Sequence, residues 1–167
     1  MRHTISILLQ NEAGALSRVA GLFSSRGYNI ETLQVAPTRD LAISRLTLVT
    51  RGDDPVIQQI CNQLLKLVDV VDLVDMTGGD HIEREMLLMK VAFEGAVPEA
   101  FHSIVAQIGA RVLDTEPRHF TLEVTSSGPI LDEFLDEAGR FGEVFSVVRS
   151  GILAISRGAT SLDHDMI

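Results

Sequence analysis

Residues 4–10 alternate, with Ile5, Ile7 and Leu9 on one face and Thr4, Ser6 and Gln10 mostly on the other, the period of a half-buried strand. After a break at Asn11 to Gly14, the apolar residues Leu16, Val19, Ala20 and Phe23 fall at i, i+3, i+4 and i+7. That spacing predicts a helix stopped at Gly27, the residue type that best tolerates a left-handed position past a helix end. Asn29 to Val35 and Ile43 to Val49 read as two strands joined by a turn at Pro37-Thr38-Arg39-Asp40. Asp53-Asp54-Pro55 is a helix start, with an Asp cap and Pro in the first turn. Ile57, Cys61, Leu64 and Leu65 give that helix its buried stripe, and Val70 to Val74 is a closing strand. The order is βαββαβ.

The second half repeats it less clearly. Met86 to Phe93 is a strand, and Phe101, Ile104, Val105 and Ile108 form a helix stripe ended by Gly109. Val112-Leu113 and Phe120 to Val124 suggest a strand pair around Glu116-Pro117-Arg118-His119. Gly128-Pro129 opens a helix with Ile130, Leu131, Phe134, Leu135 and Ala138 on one face, and Val144 to Val148 and Ile152 to Ile155 supply the last strands. The expected fold is α+β, two tandem ferredoxin-like βαββαβ units. Residues 1–76 form the first unit, 77–83 the linker, 84–158 the second unit and 159–167 a flexible tail.

Composition narrows the class. Apolar residues are 46% and charged residues 22% of 167, enough for a core in each unit and unlike a disordered chain. Seven basic and eight acidic residues precede Met76, and seven and fifteen follow it, so the net charge of −9 lies almost wholly in the second half. Such a balance argues against a nucleic-acid partner. The single Cys61 cannot form an intrachain disulfide and fits a reducing, cytoplasmic setting. The apolar run after Met1-Arg2-His3 is too short and interrupted for a signal sequence. No stretch approaches the roughly 18 to 20 apolar residues of a membrane span.

Catalytic constellations are not found. The five His residues, at 3, 81, 102, 119 and 164, make no helical zinc pair, and no nucleophile elbow, Walker loop or dinucleotide-binding glycine fingerprint occurs. Cys61 on an apolar helix stripe reads as an inert core residue. Asp132-Glu133 and Asp136-Glu137 read as a solvated helix face. The informative segment is Leu9 to Arg18, which leaves a strand, turns through Gly14 and enters a helix. Free N–H groups at residues 14–16 and the helix dipole suit a carboxylate, and the Asn11 amide can donate to that carboxylate or accept from an ammonium. Together they suit the backbone part of a free amino acid. Spacing alone equally allows a tight turn that merely caps a helix, and Asn29, at the start of the second strand, can equally be a turn residue.

Asn11-Glu12-Ala13-Gly14-Ala15-Leu16-Ser17-Arg18-Val19, Gly21-Leu22-Phe23-Ser24 and Arg26-Gly27-Tyr28-Asn29-Ile30-Glu31 resemble the ACT domain of the small, regulatory subunit of acetolactate synthase. The resemblance continues through Val35-Ala36-Pro37-Thr38, Ser44-Arg45, Gln63 to Val70, His81 to Leu88 with Lys90, Arg149-Ser150-Gly151 and Ser156-Arg157-Gly158. It is dense in the first half and sparse from Glu94 to Gly142.

The resemblance implies an N-terminal ACT domain, a C-terminal ACT-like domain and no catalytic site or cofactor in this chain. The implied partner is a large catalytic subunit, in which thiamine diphosphate, Mg²⁺ and FAD are expected. The implied role is to activate that subunit and to confer feedback inhibition by valine or a related branched-chain amino acid. The effector would be held by Asn11, Gly14, Ala15 and Leu16, with Asn29 and Ile30 facing it from the ACT domain of a homodimer partner. The alternative is a free-standing tandem ACT sensor that controls another enzyme or a transcription factor.

Overall fold

The computed structural model describes residues 1–159 and 161–162. Thr160 and residues 163–167, part of the expected tail, lie outside the described residues. The elements are β1 (Arg2–Gln10), α1 (Ala15–Ser25), β2 (Ile30–Pro37), β3 (Ile43–Arg51), α2 (Asp54–Leu64) and β4 (Val70–Asp75), then β5 (His81–Ala92), α3 (Glu99–Ile108), β6 (Arg111–Glu116), β7 (His119–Ser126), α4 (Gly128–Ala138), β8 (Glu143–Arg149) and β9 (Leu153–Ser156). The first sheet runs β2-β3-β1-β4 and the second β6-β7-β5-β8, with β9 added on β5. Both are antiparallel at every recorded pairing of neighbouring strands. This is the expected tandem α+β architecture of ferredoxin-like units.

In the first unit, Ile5 opposite Leu48 and Ile7 opposite Leu46 face the helices and pack with Val19, Phe23, Ile57, Ile60 and Leu64. The α1 stripe is rotated from the expected one: Ala15, Val19 and Phe23 are buried, and Leu16 is 39% exposed. On α2 the fourth apolar contact is Ile60, and Leu65 is exposed. Both shifts follow from a wide apolar stripe, whose exact centre the spacing does not fix. Leu33 and Val35 of β2 pair with Leu48 and Leu46, yet stay exposed because β2 is an edge strand.

In the second unit, Leu87, Met89, Val91, Leu122 and Val124 pack against Phe101, Ile104, Val105, Leu131, Phe134 and Ala138. Phe93, Phe101 and Phe120 meet edge to face, with centroids 4.8 to 5.8 Å apart. Ile130 is exposed rather than on the buried stripe of α4. The strand around Val112 and Leu113 is longer than expected and exposed throughout, as suits an edge.

The chain divides into Met1–Glu83 with the residues from Ile152 on, and Arg84–Gly151. This differs from a linker at 77–83 and a second unit ending at 158. Residues 81–83 are already strand, and Glu83 is fastened within the first unit by Arg2 (3.0 Å) and the Thr4 hydroxyl (2.5 Å). Past Ile152, the Arg157 amide donates to Asp80 O at 3.0 Å and the Arg45 guanidinium donates to the Leu162 carbonyl.

In the second unit, a Cβ on Gly142 would lie 2.5 Å from the Ala92 carbonyl oxygen and 3.0 Å from the Phe93 ring. Gly142→Ala is therefore expected to destabilise the protein by about 1–3 kcal/mol, as overpacking does, measured by urea unfolding.

Candidate functional site

The turn from β1 into α1 is held from two sides. The Asn11 amide donates to Ala42 O (2.8 Å) and its side-chain Nδ2 to Leu41 O (2.9 Å), which fastens it to the β2–β3 hairpin. The Gln10 amide donates to Asp69 O at 2.8 Å, ahead of β4. Arg18, in the first turn of α1, then spans Asp69 with Nε on Oδ2 at 2.5 Å and Nη2 on Oδ1 at 2.6 Å. Asp69 is buried. The bond from Arg18 holds its carboxyl below the usual carboxylate range against the opposing effect of burial. The same bond raises the Arg18 guanidinium.

Gly14 is the N-cap of α1 at φ 88°, a left-handed conformation that favours glycine. A Cβ there would sit 2.9 Å from Arg18 Nη1, so the guanidinium lies directly against the turn. The Ala15 amide is engaged by Glu12 O at 3.2 Å, and Ala15 itself is buried. Among the described residues no backbone acceptor is recorded for the amides of Gly14 and Leu16, which leaves those two as helix N-terminal donors. Asn11 keeps its Oδ1 and one N–H after bonding Leu41. An exposed turn with two N–H donors, the positive end of a helix dipole and a nearby guanidinium suits a carboxylate.

The six residues singled out in the sequence do not converge within one chain. Asn11, Gly14, Ala15 and Leu16 follow the end of β1, while Asn29 and Ile30 stand at the start of β2. Because β1 and β2 both run antiparallel to β3, they run parallel to each other. The two groups are therefore separated by the length of the eight-residue strand, roughly 25 Å at about 3.3 Å per residue. Asn29 is exposed, and its carbonyl accepts from the Thr50 hydroxyl at 2.6 Å. Ile30 is half-buried against the first core.

Arg18 and Asp69 are the participants that spacing did not single out. The signal for Arg18 is a basic residue in a first helical turn, where the dipole disfavours it unless a carboxylate compensates.

The chain matches the family described as the AHAS small subunit-like ACT domain over residues 5–72 and the family described as the small subunit of acetolactate synthase over 84–158. It is 43% identical, over 95% of its length and 97% of the relative's, to the acetolactate synthase isozyme 3 small subunit of Salmonella typhimurium. It is 39% identical, over 97% and 99%, to the acetolactate synthase small subunit of Haemophilus influenzae. The crystal structure of the acetolactate synthase small subunit from Thermotoga maritima superposes with a TM-score of 0.86 at 29% identity, covering 96% of this chain and 99% of that one.

The carboxylates of Asp69, Asp75 and Glu83 all lie below their ordinary values of 3.8, 3.8 and 4.5. For Asp75 and Glu83, burial opposes ionisation, but hydrogen bonds from Thr77 and His3, and from Thr4, Arg2 and His81, outweigh it. A group with a depressed folded pKa stabilises the fold above its unfolded pKa and loses that contribution as pH falls through the folded one. The melting temperature is therefore expected to hold from pH 7 to about 5 and to fall progressively below about 4.5. Asp69→Asn flattens part of that fall, measured by calorimetry across pH.

Proposed function

The chain belongs to the acetolactate synthase small-subunit family, and on that premise we infer that it is the regulatory, non-catalytic partner of a large synthase subunit. It activates that subunit and makes it sensitive to valine or a related branched-chain amino acid. Thiamine diphosphate, Mg²⁺ and FAD belong to the large subunit, which condenses pyruvate with pyruvate or 2-oxobutyrate. The working compartment is the cytoplasm; no described helix is long and apolar enough to cross a membrane.

The observation that carries the effector reading is the placement of the two residue groups at opposite ends of β2. β2 is an edge strand with Leu33 and Val35 exposed, a surface suited to pairing with a second copy. If two β2 strands pair antiparallel about a twofold axis, Asn29 and Ile30 of one protomer arrive at the end of β2 where the Asn11–Gly14 turn of its partner lies. The effector carboxylate then meets the Gly14 and Leu16 amides. Asn11 and Asn29 orient the ammonium and carboxylate, and Leu16 and Ile30 pack on the aliphatic side chain. Ala15 contributes through its place in the turn, since its amide already serves Glu12. A ligand that touches both protomers favours one arrangement of them by its differential affinity, and a coupling of about 1–3 kcal/mol changes the partner's state about 5- to 150-fold.

Valine titrated into the isolated protein is expected to bind, and Gly14→Asp, which places a carboxylate where the effector's should dock, is expected to abolish binding and feedback. Capture of the large subunit should survive that substitution. Unaltered valine inhibition in the variant would place the site elsewhere, and failure to capture the large subunit would favour the free-standing sensor. Val35→Lys puts a charge on the β2 edge and is expected to weaken self-association at least about tenfold, read by sedimentation equilibrium. A dimer of unchanged strength would remove the β2 pairing.

A further inference from the structure

A groove of about 520 Å³ lies on the face of the first sheet turned away from the helices. Two neighbouring cross-strand pairs line it: Gln34 of β2 opposite Thr47 of β3, and Ala36 opposite Arg45. Thr47 is in turn opposite Ser6 of β1. Side chains alternate along a strand, so these positions point away from the helix side that Ile5 and Ile7 occupy. Past Ala36 the chain adds Pro37, Thr38 and Arg39 to the lining, and β9 adds Leu153 and Ala154. All of these residues belong to the first unit.

The lining is rich in donors and contains no carboxylate. Arg39 and Arg45 stand in it with the Gln34 amide and the buried Thr47 hydroxyl, and neither Asp nor Glu contributes, in a chain whose net charge is −9. Asp40, the neighbour of Arg39, is turned into its own hairpin bend, where its Oδ1 accepts from the Ala42 amide at 2.9 Å. Arg39 is exposed and makes no hydrogen bond or ion pair among the described residues. Arg45 gives Nη2 to the Leu162 carbonyl, and a guanidinium has five N–H groups to share.

Two guanidinium groups without a carboxylate between them repel a cationic ligand and suit an anion with two negative charges. The planar guanidinium fork matches a carboxylate through two parallel hydrogen bonds. Ala36, Pro37, Leu153 and Ala154 give the groove an apolar side, which a bare inorganic ion would leave uncovered. The volume falls in the range of small-molecule sites, about 300 to 1,000 Å³.

We propose that this groove binds a small aliphatic dicarboxylate, with one carboxylate on each of Arg39 and Arg45 and the methylene chain on Ala36, Pro37 and Leu153. The proposal does not rest on the effector reading of the Asn11 turn. That turn is read as taking a carboxylate too, so the experiment has to tell the two places apart.

The test uses the full chain at neutral pH and constant ionic strength. Glutarate is titrated by calorimetry, with butyrate and inorganic phosphate as comparison anions. One saturable glutarate site per chain is expected, with butyrate and phosphate each weaker by about tenfold or more. Arg39→Gln, at an exposed side chain that the fold does not use, is expected to weaken glutarate about tenfold or more. Gly14→Asp, which blocks the Asn11 turn, leaves glutarate affinity unchanged. Absence of saturable binding, an unchanged affinity in Arg39→Gln, or equal affinity for butyrate or phosphate would each overturn the proposal. Loss of glutarate binding in Gly14→Asp would overturn it as well, by placing the ligand at the Asn11 turn.

Discussion

The Arg18–Asp69 ion pair organises the end of the first unit where β1 turns into α1. Asp69 is buried and lies outside any regular element, so without a cation it would be a buried charge with no counter-ion. The fork of Arg18 satisfies both oxygens and so fixes the first turn of α1 to the start of β4. The Asp69 carbonyl is also the acceptor for Gln10 at the end of β1, so one residue ties two strands and a helix. The turn between them has little freedom left. Its left-handed glycine lies against the guanidinium, where a larger residue would have to displace it. The amides of Gly14 and Leu16 thus stand on a braced turn, which lowers the ordering cost of the effector binding proposed for it.

How much of this is legible from the residues depends on the range of the interactions. Periodicity reports local geometry, so the strands, the helices and the glycine stops at Gly27 and Gly109, both left-handed, follow from spacing alone. Phase within a stripe is less secure. Leu16, Leu65 and Ile130 carry the right residue type and face outward, because a wide apolar stripe does not fix which of its residues centre on the core. Asp69 and Arg18 are 51 positions apart, and no local pattern joins them. His3 is the same kind of case, since its partners come from α2 and the end of β4.

The alternation of β1 also understates its burial. Thr4, Ser6 and Leu8 lie on the face away from the helices and are as inaccessible as Ile5 and Ile7. Ile155, Ser156, Ser161 and Leu162 lie against that second face beside Ser6, Arg45 and Val74. A polar face reads as solvated when only neighbouring residues are considered, yet here hydroxyls line a contact with chain more than a hundred positions away.

That return of the chain gives synthesis a particular order. Arg84–Gly151 forms a continuous unit and can close as soon as it has left the ribosome, as domains generally fold while the chain grows. The first unit emerges earlier but keeps the outer face of its sheet open until the residues after Ile152 follow. The segment made first is therefore the segment finished last, and a nascent chain arrested between the two carries an uncovered sheet exposed to other chains.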